Sequence, residues 1–378
     1  MQFMQADRDT CDTLLPGLRA ALSEVPLATL EAEGSPAIEL FRSHNGSNLV
    51  VPKSFGGIGA SALDTVRVTR VLGSLSPSLA VATTMHHFSI GTLVGVAASL
   101  GEGTELETSL KRVAEEKLLL ASGFAEGRSG EGILSPTMEA RPVEGGYLLR
   151  GSKKPCSMAK SMGLLTASVA MRRPDGSADM GFLMLPADSP GITVRPFWSN
   201  FALAGAESHE VVLEDAFATE GQILHAPDEI LEGLNELQEI GLIWFQMIVS
   251  AGYTGLASSL VERLLEKGRG SASDRASIAS RVESAALLTE GLARRVMDGE
   301  TGNDTLAAAL VSRFAVQDTL AGVIRDVVEL LGGIAYVTSS DTAYLAAASH
   351  ALAFHPPSRT GTVDALLDYY AGKPLIVK

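Results

Sequence analysis

The sequence predicts a mostly helical α+β protein in which an N-terminal helical domain, a central antiparallel β domain and a C-terminal helical bundle follow one another. Apolar residues recur at three- and four-residue spacing in the first and last parts of the 378-residue chain. Between these parts, short alternating runs are separated by turn residues. Hydrophobic residues make up 46% of the chain, enough for sizeable cores, and the changes of periodicity place the domains at residues 1–118, 119–224 and 225–378.

The first domain rests on three segments with helical spacing, TCDTLLPGLRAALSEV, ALDTVRVTRVLGSL and SLKRVAEEKLLLA. The Pro/Gly turn VPKSFGGIGAS interrupts them and ends in Ser61. A serine at this position accepts a hydrogen bond from the first turn of a helix. We therefore expect a helix to begin directly after Ser61.

The central domain rests on short alternating runs such as GYLLRG, LLTASVAM, GFLMLP and ITVRPF, with the turns RPDGSAD and ADSPG between some of them. Helical spacing then returns, with apolar residues at Leu306, Leu310 and Phe314 in one segment. These final segments are long enough for a helical bundle.

Composition excludes several functions. The chain has 30 Lys and Arg against 44 Asp and Glu, and its net charge of −14 disfavours nucleic acid as a partner. Cys11 and Cys156 are far apart and fit neither a disulfide framework nor a zinc site, which favours a reducing, cytoplasmic setting. We find neither a secretory signal nor a membrane span in the sequence, so we expect no membrane partner.

Five stretches of the sequence carry recognisable patterns, and they read LVVPKSFGGIGAS, ASGFAEGRSGEG, VEGGYLLRGSKKPCSMA, ESHEVVLEDAFATEGQIL and VVELLGGIAYV. They resemble five segments of the acyl-CoA dehydrogenase family, in the order in which they occur there. In that family the segments are the N-terminal glycine turn, the entry to the β domain, the flavin hairpin, a later strand and the Gly-Gly turn. The resemblance covers nearly the whole chain.

This resemblance implies an FAD-dependent enzyme whose flavin ring lies between the β domain and the C-terminal bundle. It also implies a homo-oligomer, dimer or tetramer, because the adenine end of FAD reaches across a subunit interface in the family. The implied reaction removes the α proton of an acyl thioester with a carboxylate base while the β hydrogen leaves as hydride. The implied partner is therefore an acyl-CoA or an acyl-carrier protein.

The resemblance also places cofactor-binding residues in the β domain. Phe124 and Ala125 stand where main-chain contacts to the flavin are expected, and Gly130 matches a small residue near the pyrophosphate. Pro155 replaces the family's Trp that packs on the flavin, whereas Ser157 keeps a hydroxyl where the family has a hydrogen-bonding Thr.

A second set of cofactor positions lies in the C-terminal bundle. Arg269, or alternatively Arg275, is the candidate for the family's Arg that reaches the neighbouring subunit's FAD. Glu329 replaces the usual Gln of the Gly-Gly turn. Gly332 and Gly333 are kept, which lets a backbone approach the adenine closely.

The catalytic carboxylate of the family has no counterpart in this chain. The common position falls on Pro356, or on Thr360 to Thr362 with a four-residue insertion, and a second position falls on Phe245 or Gln246. His355 is the catalytic candidate that remains, because a histidine with an ordinary pKa near 6.5 acts as a base or donates a hydrogen bond at neutral pH. A purely structural role for His355 is the alternative.

Other histidines have simpler interpretations. His86 and His87 are adjacent on a predicted helix and cannot face the same way, so a structural or substrate-lining role is expected. His209 lies in a strand-like segment, where solvent exposure is the default expectation.

Three functions follow from these observations. The main prediction is an FAD-dependent oxidoreductase that carries out α,β-dehydrogenation of an acyl thioester with a non-standard base. The alternative is a flavin-dependent monooxygenase of the same fold, since such enzymes also lack the glutamate and the segment KKPCSMA departs from the dehydrogenase pattern. A degenerate, non-catalytic or flavin-free homologue is the second alternative.

Overall fold

The computed structural model describes residues 2–100, 103–127, 136–172, 178–225 and 231–377. Within these ranges, helices come first, a sheet occupies the middle and helices return, so the predicted α+β class is confirmed. The helices are α1 (Gln5–Leu14), α2 (Leu18–Ser23), α3 (Leu27–Leu30), α4 (Ala37–Ser43), α5 (Ala62–Leu75), α6 (Pro77–Leu100), α7 (Glu105–Glu116), α8 (Leu231–Lys267), α9 (Ala272–Met297), α10 (Asn303–Thr338), α11 (Ser340–Ser349) and α12 (Arg359–Tyr370). The strands are β1 (Leu120–Gly123), β2 (Glu139–Val143), β3 (Gly146–Cys156), β4 (Leu164–Arg172), β5 (Ala178–Pro186), β6 (Ile192–Arg195), β7 (His209–Thr219) and β8 (Ile223–His225).

The central sheet is mixed, although most of its strand pairs are antiparallel as predicted. The spatial order is β6-β7-β3-β2-β4-β5-β8, and β1 pairs with β4 outside this path. Strand β4 runs parallel to β1 and to β2. A tight hairpin imposes antiparallel pairing only on consecutive strands, and neither of these pairs is consecutive, so the alternating pattern could not reveal their direction.

The predicted helix start at Ser61 is confirmed by its hydrogen bonds. The Ser61 hydroxyl accepts a hydrogen bond from the Asp64 backbone N–H at 3.1 Å. The Asp64 carboxylate in turn accepts from the Ser61 backbone N–H, also at 3.1 Å. This reciprocal capping box satisfies two N–H groups that the first turn of α5 leaves without helical partners.

Glycines bring the backbones of α5 and α8 close together. A Cβ atom on Gly73 would lie 2.0 Å from the Gly252 carbonyl oxygen, and one on Gly255 would lie 2.0 Å from the Arg70 carbonyl oxygen. Real side-chain carbons do not approach a carbonyl so closely, so only glycine fits at these crossings. The contact fixes α8 against the N-terminal helices, and α8 carries residues of the site described below.

Two helical segments have the length and hydropathy of a membrane span, although none was expected from the sequence. They are Pro77–Ala98 in α6 and Glu239–Lys267 in α8, and 78% and 83% of their most apolar windows are buried inside the protein. Burial of this extent is the pattern of core helices, whose apolar surface is covered by neighbouring elements.

Candidate active site between the sheet and the helical bundle

A line of aromatic rings connects the sheet with both helical parts of the chain. The Phe182 ring on β5 lies 5.4 Å, centroid to centroid, from Phe124, just after β1, and Phe124 lies 6.3 Å from Phe88 on α6. Phe88 meets Phe245 of α8 edge to face at 5.5 Å, and Phe245 lies 6.0 Å from the His355 ring. These distances are typical of favourable aromatic contacts. The line of rings gives an apolar surface to the region where the sheet meets the helices.

His355 follows a short 3₁₀ helix, His350–Phe354, and lies in the loop before α12. Its Nε2 lies 2.9 Å from the hydroxyl oxygen of Tyr253 on α8. Burial, and secondarily the positive charge of Arg313, lowers the pKa of His355 to about 3. The ring is therefore neutral at physiological pH, which makes it a hydrogen-bonding group and a weak acceptor of protons.

The loop that carries His355 is held by Arg313, a buried residue of α10. The two terminal nitrogens of Arg313 donate hydrogen bonds to the Gln246 side-chain oxygen and to the carbonyl oxygens of Leu352, His355 and Pro357. Burial lowers the pKa of Arg313 to about 10, so the guanidinium remains charged at neutral pH. Arg313 therefore fixes the loop, and no salt bridge to a carboxylate accompanies it in the part of the chain described.

Four of the predicted flavin-contact residues lie on neighbouring segments at the ends of β1 and β3, a place that we call the flavin edge. The Ala125 carbonyl oxygen, one residue beyond Phe124, accepts a hydrogen bond from the Lys154 N–H at 2.9 Å, directly before Pro155. The Ser157 hydroxyl lies 2.9 Å from the Ser208 hydroxyl. Two paired hydroxyls use one hydrogen between them and leave the other to donate. The hydroxyl hydrogen that remains can donate to an acceptor atom of a flavin ring, so the residues present fit a flavin.

A buried ion pair fixes the segment after β1. Lys153 donates from Nζ to the Glu126 carboxylate at 2.7 Å and to the Ser168 hydroxyl at 3.2 Å. Although burial opposes ionisation, hydrogen bonds from Lys153 and Thr137 lower the pKa of Glu126 to about 2. Since Glu126 directly follows Ala125, the pair holds the predicted main-chain contacts in place.

The predicted cofactor-binding residues of the C-terminal bundle form a second group, where α8 turns into α9 and α10 bends. Gly332 has a φ of 85°, which breaks the helical geometry of α10. A Cβ atom on Gly270 would lie 3.2 Å from the Leu330 side chain, so the two turns touch. Arg269, Glu329 and Gly333 are exposed at this place. Gly130 lies outside the described residues.

Three further histidines, His86, His87 and His209, are buried. His86 accepts a hydrogen bond at Nδ1 from the Leu120 N–H at 3.1 Å, and its Nε2 lies 2.8 Å from the Ser47 carbonyl oxygen, so its role is structural. His87 packs against Phe41 at 5.7 Å, and neither of its nitrogens has a hydrogen-bond partner among the described residues. His209 was expected at the surface, but the pairing of its strand with Cys156 on β3 draws it inward, to 5% exposure.

Comparison with known proteins identifies the family of the chain. No family model matches the sequence. The chain is 48% identical over 376 residues to isobutylamine N-hydroxylase of Streptomyces viridifaciens, covering 99% of this chain and 100% of that protein. Its fold is similar to nitrososynthase from Micromonospora carbonacea var. africana, with a TM-score of 0.80, 20% identity and coverage of 97% and 96%. It is also similar to the FMN-bound enzyme TdsC from Paenibacillus sp. A11-2, with a TM-score of 0.81, 14% identity and coverage of 100% and 99%.

The chain belongs to the acyl-CoA dehydrogenase-like family. The resemblance seen in the sequence is thus confirmed, and the protein is a flavin-dependent oxidoreductase with this fold. The 48% identity over the full length carries this assignment, while the solved structures support the fold alone.

The predicted reaction and partner were wrong. The relative with 48% identity is named for hydroxylation of an amine, which contradicts α,β-dehydrogenation and an acyl-CoA or acyl-carrier-protein partner. The site agrees with this correction. The resemblance maps the two carboxylate positions of the dehydrogenases onto Pro356, or Thr360 to Thr362, and onto Phe245 or Gln246. None of these residues is a carboxylate, so α-proton removal has no carboxylate base there.

Sequence reasoning missed Tyr253 and Arg313, the two residues that orient His355. Both lie within long helices, at positions that periodicity assigns to a buried face without indicating any polar role. The sequence did contain one signal for them, a polar side chain at a helix position where the apolar periodicity predicts burial.

Proposed function

We propose that the protein is a flavin-dependent monooxygenase that N-hydroxylates a small aliphatic primary amine. The observation that carries this proposal is the 48% identity, over the full length of both chains, to isobutylamine N-hydroxylase. The monooxygenase alternative drawn from the sequence agrees with it.

The lining of the site supports an uncharged, compact substrate. The rings of Phe88, Phe124 and Phe245 present apolar surface of the kind that binds a branched alkyl group. The charged group that acts on His355 is Arg313, a cation, which disfavours an ammonium ion beside it. An amine must be uncharged to react through its lone pair. The apolar rings and the nearby cation favour the uncharged amine over the ammonium ion.

His355 is the residue we propose to hold the amine nitrogen. Its Nε2 is engaged by Tyr253, which leaves Nδ1 as the ring nitrogen for a substrate. A ring whose pKa is lowered to about 3 takes a proton from an amine poorly but hydrogen-bonds to it well. We therefore assign His355 an orienting hydrogen bond, with Tyr253 and Arg313 as positioning residues.

The residues proposed to hold the flavin are the main chain of Phe124 and Ala125 and the hydroxyl of Ser157. FAD is the expectation from the sequence, and FMN is the alternative because a structural relative contains it. Bound reduced flavin supplies two electrons to O2, so that one oxygen atom enters the hydroxylamine and the other leaves as water.

The test is product formation with a defined source of reduced flavin. Purified protein is supplied with FMN or FAD, NADH, a flavin reductase and isobutylamine under ¹⁸O₂. We expect N-isobutylhydroxylamine carrying one labelled oxygen, with isobutanol as an unreactive control of the same shape. Lack of labelled hydroxylamine across a panel of three- to six-carbon primary amines, while reduced flavin is present, would contradict the proposal.

A further inference from the structure

Phe197 is an exposed aromatic residue beside the proposed flavin edge. It lies in the segment after β6, and its side chain is 43% exposed. The Lys154 ammonium nitrogen lies 5.7 Å from the centroid of the Phe197 ring, and Lys154 directly precedes Pro155. Pro155 is itself exposed and stands where the resembled dehydrogenases keep a Trp against the flavin.

The backbone of Phe197 is anchored to the same strand end. Its N–H donates to His209 Nδ1 at 3.4 Å, and His209 is the register partner of Cys156 between Pro155 and Ser157. Burial lowers the pKa of His209, which keeps Nδ1 available as an acceptor. The ring is therefore exposed although its attachment is fixed.

The residue after Phe197 fixes the segment from the other side. The Trp198 indole N–H donates to the Ala202 carbonyl oxygen at 2.9 Å, and the Trp198 ring packs against the main hydrophobic core. Lys154, below the Phe197 ring, is itself held by Glu210 at 2.7 Å. An exposed ring on a fixed segment loses little conformational freedom when a planar ligand covers it.

We propose that Phe197 supplies the aromatic surface for the flavin that Pro155 cannot supply, and so acts as a cofactor-positioning residue. The inference rests on flavin binding at the Ser157 edge, as in the proposed function. The Phe197 ring, which lies beside the ammonium of the residue that precedes Pro155, offers a flat apolar surface to a tricyclic ring, with a preference for offset or edge-on packing. A neighbouring segment thus provides the aromatic ring that β3 does not carry.

The experiment is a flavin titration of purified protein, with FMN and FAD tested separately. It follows the dissociation constant and the fluorescence of the bound flavin, which a contacting aromatic ring quenches. We expect Phe197→Leu to raise the dissociation constant roughly two- to tenfold and to increase the fluorescence of bound flavin, whereas Phe197→Trp retains both wild-type properties.

Phe217→Leu is the matched control, because Phe217 is 45% exposed on the same sheet but lies eight positions beyond His209 on β7. We expect it to bind flavin as the wild type does.

If Phe197→Leu binds flavin with wild-type affinity and fluorescence, or if Phe217→Leu weakens binding equally, the inference is wrong and the proposed function stands. Wild-type protein that binds neither flavin overturns both. A Phe197→Leu variant that changes only the oligomeric state assigns the ring to a subunit contact and also overturns the inference.

Discussion

The Tyr253 hydroxyl oxygen lies 2.9 Å from His355 Nε2, and this pair terminates the line of aromatic rings that starts on the sheet. Burial raises the pKa of the Tyr253 phenol, so the hydroxyl keeps its hydrogen at any physiological pH. Both members of the pair are therefore neutral, and the pair sets the orientation of the imidazole without placing a charge in the site.

Removing the imidazole should lower turnover without affecting flavin binding. We expect His355→Ala to reduce kcat for the amine about 10- to 100-fold and Tyr253→Phe, which removes one hydrogen bond, about 2- to 10-fold. Steady-state kinetics and a flavin titration measure the two properties. Phe354→Leu, at an 82% exposed neighbour, is the control with wild-type kinetics. Unchanged turnover in His355→Ala would remove the only role assigned to this residue.

Replacement of Arg313 should destabilise the protein and disturb the loop. Arg313→Lys keeps the charge but cannot reach the four acceptors that the planar guanidinium serves. We expect the free energy of unfolding to fall by about 2–4 kcal/mol, measured in urea, because buried carbonyl groups lose their donors. Arg325→Lys, at an exposed ion pair, should change it by less than about 0.5 kcal/mol. Equal stability of the two variants would contradict the role of Arg313 in holding the loop.

Two glycine-to-alanine substitutions should have opposite effects. A Cβ atom added to Gly73 of α5 would collide with the Gly252 carbonyl oxygen. A Cβ atom added to Gly291 of α9 would have no atom of another residue within 4 Å in the described structure. We expect Gly73→Ala to lower the free energy of unfolding by more than about 2 kcal/mol, because the helices must separate. Gly291→Ala should raise it by about 0.5–1 kcal/mol through helix propensity. Thermal denaturation of both variants measures these changes. A Gly73→Ala protein as stable as the wild type would show that the α5–α8 contact is loose.

The sequence predicted the parts of the fold that depend on neighbouring residues. The cap at Ser61 follows from a local sequence pattern. Tyr253 lies 102 residues from His355 and Arg313 lies 42 residues from it, so only the packing of α8, α10 and the loop brings them together. The predicted reaction was wrong because the matching motifs belong to the fold and the cofactor edge, which enzymes with different chemistry share.

His87 provides the sharpest test of how burial acts on stability. It is fully buried on α6, and desolvation lowers its pKa well below 6.5. Within the part of the chain that the structure describes, neither ring nitrogen has a hydrogen-bond partner. Replacing it with leucine removes two unsatisfied polar atoms at similar volume, so His87→Leu should raise the free energy of unfolding at pH 7.5 by about 1–2 kcal/mol.

The same substitution should also change the pH dependence of stability. As the pH falls below about 6.5, the unfolded chain binds a proton at His87 while the folded chain does not, so stability is lost on the acid side. At pH 5.0 this loss amounts to about 2 kcal/mol, which His87→Leu should abolish, so the advantage of the variant grows from pH 7.5 to pH 5.0. Urea unfolding at both pH values measures it, with the surface substitution His350→Leu, at an exposed position, as the control at pH 7.5. If the advantage of His87→Leu is the same at both pH values, His87 is not held neutral by burial.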